Sequence, residues 1–370
     1  MTGLVPKSDF ILPEGVVSLV SGGEPPLLRV HREAFERYAR DKAAGLTGYW
    51  NLWDTNEQVR AMLAGMLNLE ASDLALIGST SEGIAQVVSS IDWRAGDNAV
   101  TANTEYASGR FALAGLQKFG VEARLVESRD WRVDAERLLD ACDDRTRLVY
   151  LSQVSYLTGQ QLDMEHFSAE LASRGVPLVN DVSHALGVTP VDGRLADFTV
   201  CCGYKWLLGT QTGIFAWNRQ RRSSFEPRGI GWRSAASHEG GFLRREDANR
   251  VQTGNSNHLD VYLLRESLGY LQRIGIDRIR EHVLRLSDTL LEALHELGVE
   301  VITPESPQER AGNICFALSD PGKLVKLAAA ENIYVWGDVG RIRISIHLFN
   351  DETDIERLIA FLAANRAMLR

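Results

Sequence analysis

Residues 179–217 decide the fold, and they read VNDVSHALGVTPVDGRLADFTVCCGYKWLLGTQTGIFAW. An apolar strand leads into Asp181, His184 follows three residues later, and Lys205 comes just after the next apolar strand. Open α/β sheets bind their ligands beyond the carboxyl ends of the strands. The segment therefore predicts that an acid, an imidazole and a lysine share one crevice.

The sequence around this stretch alternates short apolar runs with helical patterns. Such alternation is typical of an α/β fold with a mostly parallel sheet and helices on both faces. The predicted strands lie at residues 74–77, 99–102, 123–126, 148–151, 177–180 and 198–201, and the helices between them at 81–91, 107–119, 134–142 and 164–174.

The pattern changes after about residue 258. Residues 268–297 predict one long amphipathic helix with Gly298 as its C-cap. Four short strands (299–302, 314–317, 333–336 and 341–346) follow, and a last helix begins at the cap-like pair Asn350-Asp351. We therefore expect an N-terminal arm (1–30), a large domain (31–257) and a smaller α+β C-terminal domain (258–370).

Composition excludes several classes of protein. The chain has 370 residues and a formal net charge of −9, which does not suit sequence-independent nucleic-acid binding. Four scattered cysteines predict neither a disulfide framework nor a metal site. The N-terminus lacks a signal-peptide pattern, and no apolar run reaches the roughly 18 residues of a membrane span. These features predict a cytoplasmic protein with reduced thiols.

Asp181 and Lys205 are the two groups that pyridoxal 5′-phosphate chemistry requires. A lysine amine holds the cofactor as a Schiff base and then acts as the base at Cα of an amino acid. A carboxylate keeps the pyridine nitrogen protonated, so that the ring accepts electrons from Cα. Either residue alone is more often a surface lysine or a helix cap, and only their joint spacing indicates a cofactor site.

The motifs DVSHALG (181–187) and YKWL (204–207) resemble those of class V aminotransferase-type enzymes of the fold type I pyridoxal phosphate group. That group includes cysteine desulfurases, kynureninases and isopenicillin N epimerase, and the resemblance runs from about residue 20 to 365. The motif YLTGQ (156–160) is closer to kynureninase. The resemblance implies a mainly parallel seven-stranded sheet, pyridoxal 5′-phosphate as cofactor, a free amino acid as substrate, and a homodimer with shared active sites.

The resemblance also assigns the groups that hold the cofactor ring. Asp181 would pair with the pyridine nitrogen, His184 would lie near the phenolic oxygen, and Lys205 would be the Schiff-base lysine. Tyr106 falls where the family places a ring that stacks on the cofactor.

The cofactor phosphate would be held by the turn Gly78-Ser79-Thr80, where backbone amides and a hydroxyl at a helix N-terminus favour an anion. Tyr204 would add its hydroxyl. Thr253 matches a segment that reaches the neighbouring subunit's phosphate, and the pair Gly231-Trp232 would line the partner's site.

Substrate contacts follow from the same resemblance. Arg343 matches the arginine that grips the α-carboxylate, for which a planar guanidinium is suited. Arg341 lies two residues earlier on the same strand face and is the alternative. Tyr156 replaces the family's usual asparagine near the phenolic oxygen, so we count it as a substrate-binding candidate.

The sequence leaves the reaction type open. The segment NIYVWGDVGRIR (332–343) contains no cysteine where desulfurases carry their nucleophile, which argues against a persulfide-forming enzyme. The kynureninase-like segments favour cleavage at Cβ, of a C–S or C–C bond, over transamination or epimerisation. A non-catalytic binding protein on the same scaffold is the alternative of another class. A dehydrogenase is set aside because residues 78–83 do not supply GxGxxG.

Two N-terminal features predict the mouth of the pocket. The first is the segment SGGEP (21–25), and the second is the aromatic group Tyr49, Trp50 and Trp53. The alternative for the aromatic group is a stabilising cluster within a helix bundle.

Overall fold

The computed structural model describes residues 3–237 and 241–369 and contains ten α-helices within those ranges. No helix among them is both long enough and apolar enough to cross a membrane. The helices are α1 (His31–Ala43), α2 (Gly45–Leu67), α3 (Thr80–Ser90), α4 (Ala107–Ala114), α5 (Ala135–Asp140), α6 (Met164–Ser173), α7 (His258–Ile274), α8 (Ile276–Leu297), α9 (Pro321–Ala330) and α10 (Glu352–Ala364).

Fourteen strands lie within the same described ranges. They are β1 (Val17–Ser18), β2 (Leu74–Ile77), β3 (Asn98–Ala102), β4 (Glu122–Val126), β5 (Thr146–Ser152), β6 (Leu178–Asp181), β7 (Phe198–Cys202), β8 (Gly213–Trp217), β9 (Ala235–Ser237), β10 (Leu243–Arg244), β11 (Asn313–Ala317), β12 (Ile333–Tyr334), β13 (Trp336–Asp338) and β14 (Arg341–Ser345).

The central sheet has seven strands in the order β2-β8-β7-β6-β5-β3-β4, and only β8 runs antiparallel to its neighbours. The predicted fold class is therefore confirmed. The carboxyl ends of β2, β3, β5, β6 and β7 all meet at one edge. The segments that follow these strands carry the predicted cofactor groups.

Both faces of the central sheet are buried, which explains why its strands read as continuous apolar runs. On β2, Leu74 and Leu76 pack into one apolar cluster, whereas Ala75 and Ile77 pack into another on the opposite face. The first cluster continues through α7, α8 and the strands near the C-terminus. One core therefore joins the predicted large and small domains, and the position of their boundary stays a prediction.

The C-terminal part contains a three-stranded antiparallel sheet, β11-β14-β13, covered by helices. The predicted caps are confirmed: α8 ends at Gly298 with φ +74°, and the Asp351 side chain accepts a hydrogen bond from the Asp354 amide at the start of α10. The N-terminal arm reaches this region because β1 pairs with β12.

Two predictions for the C-terminal part were wrong. Residues 268–297 do not form one helix, because Gly275 adopts φ +91° and separates α7 from α8. An amphipathic pattern runs on across this break, so periodicity alone did not reveal it. Residues 299–302 do not form a strand either. Val301 makes a single antiparallel bridge to Phe316.

Candidate active site

Asp181, His184 and Lys205 meet at the carboxyl edge of the sheet, as predicted. Asp181 ends β6 and His184 lies in the turn after it, and both are buried. Lys205 follows β7, and its Nζ lies 3.2 Å from His184 Nε2. Gly187 allows the turn after β6 to pack closely against the segment that carries Lys205. It adopts φ +103°, and a Cβ there would lie 2.4 Å from the carbonyl oxygen of Trp206.

The Asp181 carboxylate accepts one hydrogen bond on each oxygen. The Ser183 backbone N–H donates to Oδ1 at 2.9 Å, and the Tyr150 hydroxyl donates to Oδ2 at 2.9 Å. Asp181 also lines the cavity that contains Lys205. A carboxylate held in this way has lone pairs left for a donor in the cavity.

His184 is held in one tautomer. The indole N–H of Trp206, which can only donate, points at His184 Nδ1 from 3.4 Å, and Asn313 Nδ2 lies 3.0 Å from the same atom. Nδ1 is therefore the acceptor. Burial lowers the pKa of His184 well below its ordinary 6.5, and the charges of Lys205 and the two nearby arginines lower it further. The neutral ring then carries its proton on Nε2, which faces the cavity and Lys205.

The turn Gly78-Ser79-Thr80 joins β2 to α3 and lines the same cavity. Ser79 is the N-cap of α3 and accepts a hydrogen bond from the Glu82 amide at 3.1 Å. The hydroxyl oxygens of Thr80 and Thr212 are buried and have no hydrogen-bond partner among the described residues. Buried hydroxyls without partners are costly. Here they surround a helix N-terminus, where an anion would satisfy them.

Tyr204 also lines the cavity, with its ring centre 5.6 Å from Lys205 Nζ. Tyr106 lies near the opening, half exposed, with its ring centre 5.7 Å from Lys205 Nζ. The rings of Tyr106 and Tyr156 are almost perpendicular, with their centres 5.1 Å apart. Aromatic rings therefore lie around the lysine on the solvent side.

Arg343 lines a second cavity, which shares Lys205 and His184 with the first. The two adjoining cavities have volumes of about 200 and 120 Å³. Burial lowers the pKa of Arg343 to about 10, and the charge of Arg341 contributes. No carboxylate among the described residues forms a salt bridge with Arg343. Its Nη1 donates to the Tyr156 carbonyl at 3.3 Å.

Arg341 does not line either cavity. It is fully buried, its Nη1 lies 3.1 Å from Asp338 Oδ1, and its Nη2 donates to the Tyr156 carbonyl at 3.2 Å. The structure therefore places Arg343, and not Arg341, where a ligand could reach it.

The N-terminal segment forms part of the opening. Gly22, Gly23 and Glu24 line the cavity near Arg343. A Cβ on Gly22 would lie 2.8 Å from Asn313 Oδ1 and 3.2 Å from His184 Cε1, so only glycine fits this close approach.

The aromatic group at the start of α2 does not line either cavity of its own chain, and its role at an opening stays a prediction. Trp53 packs against His258 with ring centres 4.6 Å apart, and the Arg233 guanidinium lies 3.8 Å from the Trp53 ring centre. The helix-bundle alternative holds for Trp53, because its partners lie on α7 and the loop before it.

Thr253 is exposed and lies outside the cavity of its own chain. A Cβ on Gly231 would lie 2.0 Å from the Thr253 carbonyl oxygen. The pairs Gly231-Trp232 and Thr253-Gly254 therefore form one exposed corner, although they are about twenty residues apart in sequence. Their predicted role toward a partner subunit stays a prediction.

Several residues at the site were not found from the sequence. Glu105 is buried, and its carboxylate accepts hydrogen bonds from the Ser152 backbone N–H (2.8 Å) and hydroxyl (2.5 Å). Burial raises the pKa of Glu105 to about 7. Tyr150 and Asn313 were also missed. Only the position of Glu105 directly before Tyr106 could have drawn attention to it.

The chain matches the family model for aminotransferase class-V over residues 36–358 and belongs to that family. It is 26% identical over 363 residues to a probable cysteine desulfurase of Methanothermobacter thermautotrophicus, covering 90% of this chain and 89% of that protein. It is 25% identical over 348 residues to a kynureninase of Geobacillus thermodenitrificans, covering 86% and 81%.

Solved structures show the same fold. The apo cysteine desulfurase of Thermococcus onnurineus superimposes with a TM-score of 0.89 at 21% identity, covering 99% of this chain and all of that one. The cystine C–S lyase C-DES, in complex with its product cysteine persulfide, gives 0.88 at 23%, covering 95% and 98%. A C-DES variant with glycine linked to its pyridoxal phosphate cofactor gives 0.90 at 23%, covering 97% and 99%.

The site fits the cofactor of this family. The unpartnered hydroxyls at the α3 N-terminus suit its phosphate, Asp181 suits its pyridine nitrogen, and Lys205 suits its aldehyde. The protein is therefore a pyridoxal phosphate-dependent enzyme, either a lyase or an aminotransferase.

Proposed function

We propose that this enzyme breaks a bond at Cβ of a free amino acid. The observation that carries the proposal is the Lys205 amine, 3.2 Å from the neutral imidazole of His184, in a cavity that Arg343 also lines. An amine that can take a proton from Cα and a guanidinium that can hold the α-carboxylate are needed by any reaction that begins at Cα. Cleavage at Cβ is favoured over transamination by the kynureninase and cystine C–S lyase relatives.

The residues around the cavity divide between cofactor and substrate. Asp181 and Lys205 would hold the ring and the aldehyde of pyridoxal phosphate, with Tyr106 against its face. When bound, the cofactor supplies an electron-accepting ring next to Cα. His184 would donate its Nε2 proton to an oxygen in the cavity, because Trp206 and Asn313 occupy Nδ1.

Three further residues would complete the cofactor's phosphate site. Ser79 and Thr80 lie at the α3 N-terminus, and Tyr204 lies beside Lys205. Their assignment to the phosphate is supported by the buried, unpartnered Thr80 hydroxyl.

Arg343 would hold the substrate's α-carboxylate, because it reaches the cavity while Arg341 is fully buried next to Asp338. Tyr156 would lie beside the substrate. Its ring contacts that of Tyr106, and its carbonyl oxygen accepts hydrogen bonds from both arginines. The substrate would therefore lie between Lys205 and Arg343, with its Cα nearest to the lysine.

The cysteines favour a lyase over a persulfide-forming desulfurase. All four are described, and only Cys202 lines either of the two cavities. It lies on the cofactor side, and burial raises the pKa of its thiol, which weakens it as a nucleophile. Sulfur released from a substrate would therefore leave without transfer to the enzyme. The name of the cystine C–S lyase relative supports cleavage at Cβ.

We also propose a cytoplasmic homodimer with shared active sites. The exposed corner that contains Gly231 and Thr253 supports the dimer, because Thr253 is exposed and lies outside the cavity of its own chain. Four free thiols suit a reducing compartment.

The first experiment tests cofactor attachment. The purified protein should be yellow, and borohydride should bleach it and fix the cofactor to Lys205, as mass spectrometry of the peptides would show. The Lys205→Ala variant should fold but remain unlabelled. A wild-type protein that takes up no cofactor would point to the non-catalytic binding protein instead.

The second experiment determines the reaction. The holoenzyme is incubated with a panel of amino acids, including cystine and cysteine, while the cofactor spectrum and product masses are followed. Release of pyruvate or alanine indicates cleavage at Cβ, and the mass of the second product shows whether a C–S or a C–C bond was broken. A pyridoxamine form that an oxo acid reoxidises would replace the proposal with an aminotransferase, and inversion at Cα would replace it with an epimerase. Cys202→Ala should keep its activity, whereas loss of sulfur release would contradict the thiol-free route.

A further inference from the structure

Tyr150 is fully buried in the middle of β5, within the apolar run LVYLS (148–152). Ser152, two residues later on the same face, is in register with Asp181 on β6. The Tyr150 side chain therefore runs beneath the cavity and brings its hydroxyl to 2.9 Å from Asp181 Oδ2. The proposed mechanism gives this phenol no role.

The direction of this hydrogen bond is fixed. Burial raises the pKa of Tyr150 well above its ordinary 10, and the negative charges of Asp181 and Glu105 raise it further. The phenol therefore keeps its proton and donates it. Since the Ser183 backbone N–H donates to the other oxygen of Asp181, both carboxylate oxygens are held from the protein side.

The Tyr150 ring is held from behind by α4. A Cβ on Gly109 would lie 2.0 Å from Tyr150 Cε1, so the aromatic ring fits against the helix only because this residue is glycine. The fully buried ring therefore cannot move toward α4.

We propose that Tyr150 is a positioning residue that fixes the Asp181 carboxylate, as an anion of set orientation, against the pyridine nitrogen of the bound cofactor. The proposal rests on the proposed function. A hydrogen bond donated to a carboxylate stabilises its anionic form. Tyr150 therefore favours the state in which the proton resides on the pyridine nitrogen and not on Asp181, and this state makes the ring a better electron acceptor.

The test uses Tyr150→Phe, which keeps the ring and removes only the hydroxyl. The holoenzyme is prepared with pyridoxal phosphate labelled with ¹⁵N in the ring, and the ¹⁵N chemical shift reports whether the nitrogen carries a proton. In the variant the shift should move toward that of the unprotonated ring. We expect kcat to fall roughly tenfold to a hundredfold, the order for one hydrogen bond to a charged group, with KM almost unchanged because Arg343 is untouched.

Tyr270→Phe is the matched control. The Tyr270 hydroxyl donates to Asp9 at 2.7 Å, and neither residue lines the two cavities, so its loss removes the same kind of hydrogen bond elsewhere. This control should lower the melting temperature of the apoprotein without moving the ¹⁵N shift. Should Tyr150→Phe not fold, Gly109→Ala displaces the same ring and is expected to move the shift in the same direction.

The possible outcomes distinguish a failure of this inference from a failure of the proposed function. A wild-type protein that takes up no cofactor overturns both. A yellow wild-type enzyme whose Tyr150→Phe variant has the same ring-nitrogen shift and the same kcat overturns the inference alone. A shift that moves in Tyr150→Phe but not in Tyr270→Phe supports it.

Discussion

Glu105 makes the stability of the apoprotein depend on pH in a way that one substitution should abolish. Its carboxyl group is buried, and burial raises its pKa from 4.5 to about 7, helped by the nearby charge of Asp181. Each pKa unit corresponds to about 1.4 kcal/mol. Ionising Glu105 in the folded protein therefore costs roughly 3 kcal/mol more than in the unfolded chain.

The direction of this pH dependence follows from which state, folded or unfolded, holds the proton of Glu105. Between pH 4.5 and about 7 the unfolded chain has lost this proton while the folded protein still holds it. The contribution of Glu105 is therefore fully present below pH 4.5, and it is lost as the pH rises through about 7. Above pH 7 the whole cost of about 3 kcal/mol is incurred.

Glu105→Gln should remove this dependence. Glutamine keeps one oxygen that can accept from the Ser152 amide, and the Ser152 hydroxyl can rotate to accept from the new NH₂ group. The free energy of unfolding of the apoprotein is measured by urea denaturation from pH 4.5 to 8. Because other groups also titrate, the quantity to compare is the difference between variant and wild type, which should change by about 3 kcal/mol in favour of the variant across this range.

The exposed Glu292 on α8 supplies the control, since Glu292→Gln makes the same substitution where the side chain is open to solvent. Parallel curves for wild type and Glu105→Gln would refute the reasoning, because they would mean that Glu105 titrates in the folded protein as it does in the unfolded chain.

Three further predictions concern the cavity and its frame. Arg343→Lys should lower kcat/KM for the amino-acid substrate roughly tenfold to a hundredfold, chiefly by raising KM, because a point charge replaces a planar guanidinium. Arg341→Lys should instead lower the melting temperature. If Arg341→Lys raised KM and Arg343→Lys did not, Arg341 would be the carboxylate ligand. Thr80→Val should weaken cofactor binding in a fluorescence titration while the apoprotein stays as stable or gains stability, since it removes a buried unpartnered hydroxyl. Gly187→Ala should destabilise the apoprotein by more than Gly275→Ala in urea denaturation. Both glycines have φ near +100°, but only at Gly187 would a Cβ lie against backbone atoms. Equal losses of unfolding free energy would show that the backbone conformation alone sets the cost.

The location of the site was predictable because the sequence pattern that marks it is local. An apolar strand followed by a polar residue marks a strand end, and parallel strands bring such ends to one edge. Asp181, His184 and Lys205 could therefore be grouped from residue order alone, whereas the phosphate role of the Gly78-Ser79-Thr80 turn came from the family resemblance. The break at Gly275 was missed because one glycine does not disturb an amphipathic pattern.

The choice between Arg341 and Arg343 needed the structure. Residues two apart on a strand point to the same face, so the sequence pattern treats them alike. Only the packing of β13 beside β14 places Asp338 next to Arg341 and leaves Arg343 open to the cavity.

By itself, the sequence determined which chemical groups this protein brings to the carboxyl edge of its sheet, because the order of strands and polar residues is written along the chain. Tertiary structure alone decided the protonation state of Glu105, the tautomer of His184 and the hydrogen bond from Tyr150. These depend on burial and on contacts between residues tens to hundreds of positions apart. Electrostatic energies depend on distance and solvent exposure, and neither can be read from residue order.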